Sequence, residues 1–448
     1  MNGRRQLAWR APRRQIRHSQ LVGNCQQSGS EYREWSIDLF VKRIDVIGSR
    51  KPPRGDRFLF DPVLFRLLRI GEFGQGAVVS TINYLTRVEF GEGEVARLPE
   101  FLAGLGIRRP LIATDKGLLA SGLVQRVRKL VGEHAIVFDE TPANPTEEAV
   151  IAAHRLYTHA GCDGVVGLGG GSSLDLAKTV RLLTGHEGPL EQYTAVANGS
   201  ARIHGNICPM IAVPTTSGTG SEVGRAAVII TSDGRKLGIL SAFMLPNIAL
   251  CDPELTYALP PRLTAATGMD AISHCLETYM ARSFNPPAEA IALHGLECGL
   301  DSIEAAVADG SDREARRNMM VCALEGAMAF QKGLGAVHAL THPLGAIREL
   351  NLHHGTLNAV LMPAVLRFNR KAIGPKWGEL SRRMGGAPDE AIAALNRRIS
   401  MPSGLREMGV TDAMMEAVSV AALKDHCHPT NPRLASQQDY LDILQSVI

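Results

Sequence analysis

The sequence predicts an α/β domain built on a parallel sheet, followed by an all-helical domain. Three observations carry this reading. From about residue 85, short β-branched and aliphatic runs alternate with helical stretches; two of those runs end in turns rich in glycine and hydroxyls; and beyond residue 254 the alternation gives way to long apolar-periodic helices. In chain order, residues 110–114, 135–138, 164–168 and 210–213 read as strands, with helices over 95–105, 118–131 and 146–160 between them. Residues 228–231 and 237–239 flank Asp233-Gly234, a hairpin signal. The helical part is expected to run through 264–281, 287–309, 312–331 and 337–349, with no strand. This divides the chain into a basic extension over 1–77, an α/β domain over 84–254 and a helical domain over 255–448.

Charge separates the first segment from the rest. Residues 1–77 hold 15 Lys+Arg against 7 Asp+Glu, so the net charge of +3 leaves the remainder at −5. Six arginines and no acid precede residue 20, a composition shared by transit peptides and nucleic-acid arms. The segment lacks sustained periodicity and contains the breaker Lys51-Pro-Pro-Arg-Gly55, so we read it as a disordered extension or a start placed too early, not as a nucleic-acid module. At 45% apolar and 21% charged residues, the chain has the composition of a globular protein, and it has no apolar run of membrane-spanning length. Its eight cysteines are scattered without a Cys-x-x-Cys pair, which favours reduced thiols in a cytoplasm over disulfides or a zinc finger.

Gly164-Val-Val-Gly-Leu-Gly169-Gly-Gly-Ser-Ser-Leu-Asp175 runs from a buried strand through a glycine-rich turn into a helix. Such a turn lets a phosphate approach the backbone, and the N–H groups and positive end of the helix favour an anion; Gly170, Gly171 and Ser172 are the expected contacts. Val213-Pro-Thr-Thr-Ser-Gly-Thr-Gly-Ser-Glu222 is a second such loop, with Thr215 and Thr216 at its start. Two loops on one sheet suit an extended ligand with a pyrophosphate and two riboses, a dinucleotide. Asp115 ends the first strong strand. It either caps the next helix or accepts hydrogen bonds from a ribose, where its charge would repel a 2′-phosphate and favour NAD over NADP.

Asp270 and His274 stand four apart in Gly268-Met-Asp-Ala-Ile-Ser-His-Cys-Leu-Glu277, as do His338 and His342, so each pair shares a helical face. With His354 they offer one carboxylate and several imidazoles, a set suited to Fe(II), Zn(II), Co(II), Ni(II) or Mn(II). Spacing leaves open whether His342 is a ligand or a proton relay, and whether His353 or His354 completes the set. Asp425-His-Cys-His428 is a rival cluster that we read as structural, because it lies before Pro429 in a turn.

At these motifs the chain resembles the iron-containing, or group III, alcohol dehydrogenases, from about Tyr84 to the C-terminus. The resemblance rests on Gly169-Gly-Gly-Ser-Ser-Leu-Asp-Leu-Ala-Lys178, Pro214-Thr-Thr-Ser-Gly-Thr-Gly-Ser-Glu222, Ala266-Thr-Gly-Met-Asp-Ala-Ile-Ser-His274 and His338-Ala-Leu-Thr-His-Pro-Leu-Gly345. It implies the architecture shared with dehydroquinate synthase: a dinucleotide-binding α/β domain and a helical domain, with the metal and nicotinamide in the cleft between them. It implies Asp270, His274, His338 and His354 as ligands, with Fe(II) the first expectation and Zn(II) the second, and His342 as the proton relay. Asp115, Asn144, Gly170, Gly171, Ser172, Thr215, Thr216 and Lys236 occupy positions that look like the family's NAD contacts. Within the family the resemblance is to bacterial 4-hydroxybutyrate dehydrogenases, through Phe138-Asp-Glu-Thr-Pro-Ala-Asn-Pro145, Phe284-Asn-Pro-Pro287, Gly326-Ala-Met-Ala-Phe-Gln-Lys-Gly-Leu-Gly335 and Leu352-His-His-Gly-Thr-Leu-Asn-Ala359.

The activity expected is reversible NAD-dependent oxidation of a primary alcohol, 4-hydroxybutyrate or a relative, to its aldehyde. Lys332 or Arg433 is the cation expected to meet a substrate carboxylate. A hydroxyacid–oxoacid transhydrogenase and a dehydroquinate synthase-like NAD and metal lyase are the alternatives. The protein is expected to act on a small molecule as a homo-oligomer, with neither nucleic acid nor membrane as partner.

Overall fold

The computed structural model describes residue 84 and residues 86–448; the expected extension over 1–77 lies outside them. In the α/β part the elements are β1 (Arg87–Phe90), α1 (Leu98–Gly104), β2 (Pro110–Ala113), α2 (Lys116–Ala120), α3 (Leu123–Val131), β3 (Ile136–Phe138), α4 (Glu147–His159), β4 (Gly164–Gly169), α5 (Gly171–Leu183), β5 (Met210–Pro214), β6 (Ala226–Ile230), β7 (Lys236–Leu240) and β8 (Ile248–Cys251). Six of the described strands form a parallel sheet in the order β1-β8-β5-β4-β2-β3, and β6 and β7 pair as an antiparallel hairpin.

The central strands β2, β4 and β5 alternate along their length, so each supplies two cores. Leu111, Ala113, Val165, Met210 and Ala212 face Val150 and Ala153 of α4 and Leu174, Ala177 and Val180 of α5. Ile112, Val166, Leu168, Ile211 and Val213 face Leu98 and Phe101 of α1 and Val124 and Val127 of α3. Helices on both faces explain why β2, β4 and β5 read as continuous apolar runs. The helix expected over 118–131 is broken: Gly122 takes φ 82, a left-handed conformation, and α2 and α3 meet there.

The helical part consists of α6 (Pro261–Met280), α7 (Pro286–Ala308), α8 (Arg313–Ala329), α9 (Ala336–Gly345), α10 (His354–Asn369), α11 (Pro375–Met384), α12 (Pro388–Arg398), α13 (Asp412–Ala422) and α14 (Gln437–Gln445). Helix α9 stops at Gly345 and a short 3₁₀ turn, Arg348–Leu350, follows, so the helix expected over 337–349 is shorter than anticipated. Helix α6 is the centre: every residue over 264–280 except Thr267 is buried, as for a helix packed on all sides. Among the described residues, no helix is long and apolar enough to cross a membrane.

Candidate active site

The carboxyl ends of the central strands carry the residues expected at the cofactor, where open parallel sheets bind their ligands. Gly170 is the N-cap of α5 and Gly171 its first residue, and no described side chain caps that end, so its N–H groups remain for an anion. A Cβ on Gly171 would lie 2.5 Å from Thr219, so only glycine lets the second loop sit against the first. Thr215 N–H donates to Gly169 O at 3.0 Å, Thr216 packs over Gly170, and Ser172 Oγ donates to Ala143 O. Asp115 does cap α2, accepting from Leu118 N–H at 3.0 Å, yet its other oxygen is 3.5 Å from Ser173 Oγ. The cap and a place beside the glycine turn are therefore compatible. Lys236 Nζ donates to Asn144 Oδ1 at 2.9 Å, and a Cβ on Gly345 would lie 3.5 Å from the same ammonium, which links the hairpin to α9.

Facing these loops, α6, α9 and α10 bring the four expected ligands together. Asp270 Oδ1 lies 3.8 Å from His274 Nε2, 3.9 Å from His338 Nε2 and 3.6 Å from His354 Nε2. Three imidazole nitrogens thus converge on one carboxylate oxygen at distances too long for hydrogen bonds. Burial pushes the His274 imidazole down to about 4 and the His338 imidazole down to about 3, each against the pull of Asp270. Burial, with neighbouring imidazoles and Lys236, holds His354 well below its ordinary value. The rings are therefore neutral and present lone pairs. Three lone-pair nitrogens and an oxygen brought together suit a divalent transition metal. His353 turns instead toward Thr356, with Nδ1 3.5 Å from Thr356 Oγ1.

Two residues that sequence reasoning missed complete the arrangement. Glu277, seven residues after Asp270 on the same helical face, accepts from Val337 N–H at 2.7 Å, Gly335 N–H at 3.0 Å and His338 Nδ1–H at 2.7 Å. Burial pushes its carboxyl up to about 7, opposed by those N–H groups. By accepting the hydrogen bond from Nδ1–H, Glu277 keeps that proton on Nδ1 and leaves Nε2 of His338 as the lone-pair nitrogen. Asn358, one turn after His354, donates from Nδ2 to Asp270 Oδ1 at 2.7 Å and sets that carboxylate's rotation. Both lie at i+4 or i+7 from an expected ligand, and that spacing is the signal that would have found them.

The expected substrate cations are a correction. Lys332 is buried, and its ammonium donates to Thr278 O at 2.8 Å, Tyr279 O at 3.3 Å and Ala281 O. It caps the carbonyl end of α6, where the helix dipole favours a cation. Arg433 pairs with Asp439 at 2.7 Å and lies 4.0 Å over the Phe368 ring. Lys332 is therefore not free for a substrate carboxylate, and Arg433 is held in a surface ion pair.

His342 and the residues around Asp425 also meet. His342 Nδ1 is 2.8 Å from Asp425 Oδ2, and His342, Asp425, His426 and Cys427 form a cluster beside the first.

Comparison with known proteins agrees with this layout. Residues 86–253 match the family model described as iron-containing alcohol dehydrogenase, and residues 264–448 match the C-terminal model of the Fe-containing alcohol dehydrogenase family. The chain is 54% identical over 376 residues to a 4-hydroxybutyrate dehydrogenase of Cupriavidus necator, covering 81% of this chain and 98% of that protein. It is 33% identical to an NAD-dependent methanol dehydrogenase of Bacillus methanolicus, covering 80% of this chain and 97% of that one. Among solved structures, a 1,3-propanediol oxidoreductase superposes with a TM-score of 0.78 at 32% identity, over 82% of this chain and all of the other. A sulfoacetaldehyde reductase of Bifidobacterium kashiwanohense in complex with NAD+ superposes at 0.76 and 26% identity, over 83% and 99%.

Proposed function

This chain belongs to the iron-containing alcohol dehydrogenase family and is an NAD-linked alcohol dehydrogenase, and from that premise we propose that the alcohol it oxidises is 4-hydroxybutyrate. The observation that carries the catalytic reading is the convergence of Asp270, His274, His338 and His354 opposite the two glycine loops. The substrate reading is supported by the 54% identity to a 4-hydroxybutyrate dehydrogenase over nearly all of that protein. Membership of an oxidoreductase family replaces the lyase alternative.

In this reading Asp270, His274, His338 and His354 hold a divalent metal, Fe(II) before Zn(II). Asp115, Asn144, Gly170, Gly171, Ser172, Thr215, Thr216 and Lys236 hold NAD. When bound, the two supply Lewis acidity toward the alcohol oxygen and an acceptor for hydride. The protein does the rest. Glu277 and Asn358 keep the ligand atoms aimed inward, and the buried walls of α6, α9 and α10 keep water away. The free N–H groups of α5 and the hydroxyls of Thr215 and Thr216 orient the cofactor, and His342 receives the alcohol's proton.

The test is a steady-state comparison of the metal-loaded protein with NAD on 4-hydroxybutyrate and on unsubstituted primary alcohols. We expect kcat/KM for 4-hydroxybutyrate to exceed that for butan-1-ol by at least about tenfold; equal or lower efficiency sinks the substrate reading. Net accumulation of NADH separates it from a transhydrogenase, which regenerates its cofactor on the enzyme.

Asp115 gives a further expected result. Asp115→Asn keeps the cap on α2, because asparagine caps as well as aspartate, and removes only the charge. Like charges brought together cost several kcal/mol, so the preference for NAD over NADP is expected to fall by about 10²-fold. Steady-state rates with the two cofactors measure it, and an unchanged ratio would place the discriminating charge elsewhere.

A further inference from the structure

His342 does not take part in the convergence on Asp270, yet its ring lies against those ligands. Two other imidazoles lie nearly parallel to it: His354, 5.6 Å between centroids and 8° from parallel, and His426, at 5.3 Å and 15°. His338 meets it edge-on at 5.8 Å. The ring's rotation is set by Asp425, whose Oδ2 is 2.8 Å from His342 Nδ1.

Asp425 is itself fixed. Its Oδ1 accepts the backbone N–H of Cys427 at 2.8 Å and lies 3.7 Å from His426 Nδ1. Burial alone would raise this carboxyl, but His342, His426 and the Cys427 N–H outweigh it and hold it well below the usual carboxylate range. An ionised carboxylate only accepts. The 2.8 Å pairing of Nδ1 with a carboxylate already held by the Cys427 N–H makes Nδ1 the donor, which leaves Nε2, the other ring nitrogen, as the acceptor.

We propose that Asp425 is a positioning residue for the oxidation: it locks His342 in the Nδ1–H tautomer and ring orientation, so that Nε2 is the atom that takes the alcohol's proton. The inference rests on the function given above. In the step, the alcohol O–H bond breaks and an N–H bond forms at Nε2. The two electrons leave with the C–H hydrogen as hydride, the oxidation that reduction of NAD balances. The imidazolium so formed is ion-paired with Asp425 and returns its proton to solvent. Asp425 stays ionised throughout, which is the division of labour between the aspartate and histidine of a serine-protease triad.

The experiment has two readouts. The first is nitrogen-15 NMR of histidine-labelled, full-length protein loaded with diamagnetic Zn(II), with His342 identified from the spectrum of His342→Gln. We expect a protonated Nδ1 and a bare Nε2 at His342, and the opposite or a mixed tautomer in Asp425→Asn. A wild-type His342 protonated on Nε2 overturns the proposal, whatever the variants do. The second is kinetic. Asp425→Asn is expected to lower kcat by on the order of 10²- to 10³-fold, with KM for alcohol and NAD changed by less than about threefold, and Asp425→Glu to recover part of the loss. A wild-type kcat in a folded Asp425→Asn overturns the proposal. If that variant does not fold, the wild-type spectrum decides alone. Failure of the functional reading looks different: the wild-type protein would form no NADH from any alcohol, while the His342 spectrum would still report the tautomer.

Discussion

Asp270→Asn is expected to leave the fold in place and to lower NAD-dependent alcohol oxidation by on the order of 10³-fold, with loss of the bound metal. The substitution is nearly isosteric. An asparagine oxygen can still accept from Asn358 Nδ2, which lies 2.7 Å from Asp270 Oδ1, so the contact between α6 and α10 survives. What disappears is the negative charge among the four groups that converge there. Three neutral imidazoles and an amide oxygen bind a dication far less firmly than the same set with a carboxylate, and the Lewis acidity at stake is worth several kcal/mol, each 1.4 kcal/mol being about tenfold in rate. Metal content after desalting, initial rates of NADH formation and a melting curve measure the three parts separately. A variant that keeps both metal and full activity would remove Asp270 from the site. A variant that melts far below the wild type would show a structural role instead.

Gly355→Val is the second substitution with a large expected effect, and it acts through shape alone. A Cβ at residue 355 would lie 2.0 Å from the backbone oxygen of Ala266 and 3.1 Å from Cβ of Asp270. The first turn of α10 lies directly on α6, and His354 reaches Asp270 only because residue 355 has no side chain. A valine forces the helices apart. Overpacking of this kind costs about 1–3 kcal/mol, and more where the obstacle is backbone. The displacement also falls on a proposed metal ligand, and misplacing an active-site group by 1 Å can cost about 10²-fold in rate. We expect a lower melting temperature together with at least that loss of activity. Gly378→Ala is the control. It lies in α11 with nothing near its Cβ position, where replacing glycine by alanine in a helix gains about 0.5–1 kcal/mol. Equal behaviour of the two variants would contradict the close-approach argument.

Much of this molecule can be read from its sequence, and the parts that cannot share a cause. The α/β part followed by a helical part is legible because apolar periodicity changes from short runs to long helical stretches. Strands β1 and β8 were not anticipated. β1 carries Arg87 and Glu89 at the sheet edge, and β8 is four residues set between Pro246-Asn247 and Asp252-Pro253, too short to show a period. At the site, the i, i+4 pairs announce a metal set, but only tertiary packing carries α9 and α10 onto α6. In the sequence Lys332 suggests a substrate cation because its partners, the terminal carbonyls of α6, are about fifty residues away and are backbone atoms. Nothing local tells, either, that Asp425 and His426 lie beside His342, more than eighty residues earlier.

The central claim is that Asp270, His274, His338 and His354 hold a divalent metal that NAD-linked alcohol oxidation requires. It is tested most directly by stripping the full-length protein of metal and restoring Fe(II), Zn(II), Mn(II) or Ni(II) one at a time, with metal content and NADH formation followed together. The account predicts no oxidation of 4-hydroxybutyrate in the stripped protein, recovery with one metal ion per chain, strongest with Fe(II), and neither binding nor recovery in Asp270→Asn. Full NADH formation by metal-free protein, or recovery in Asp270→Asn equal to the wild type, would contradict it.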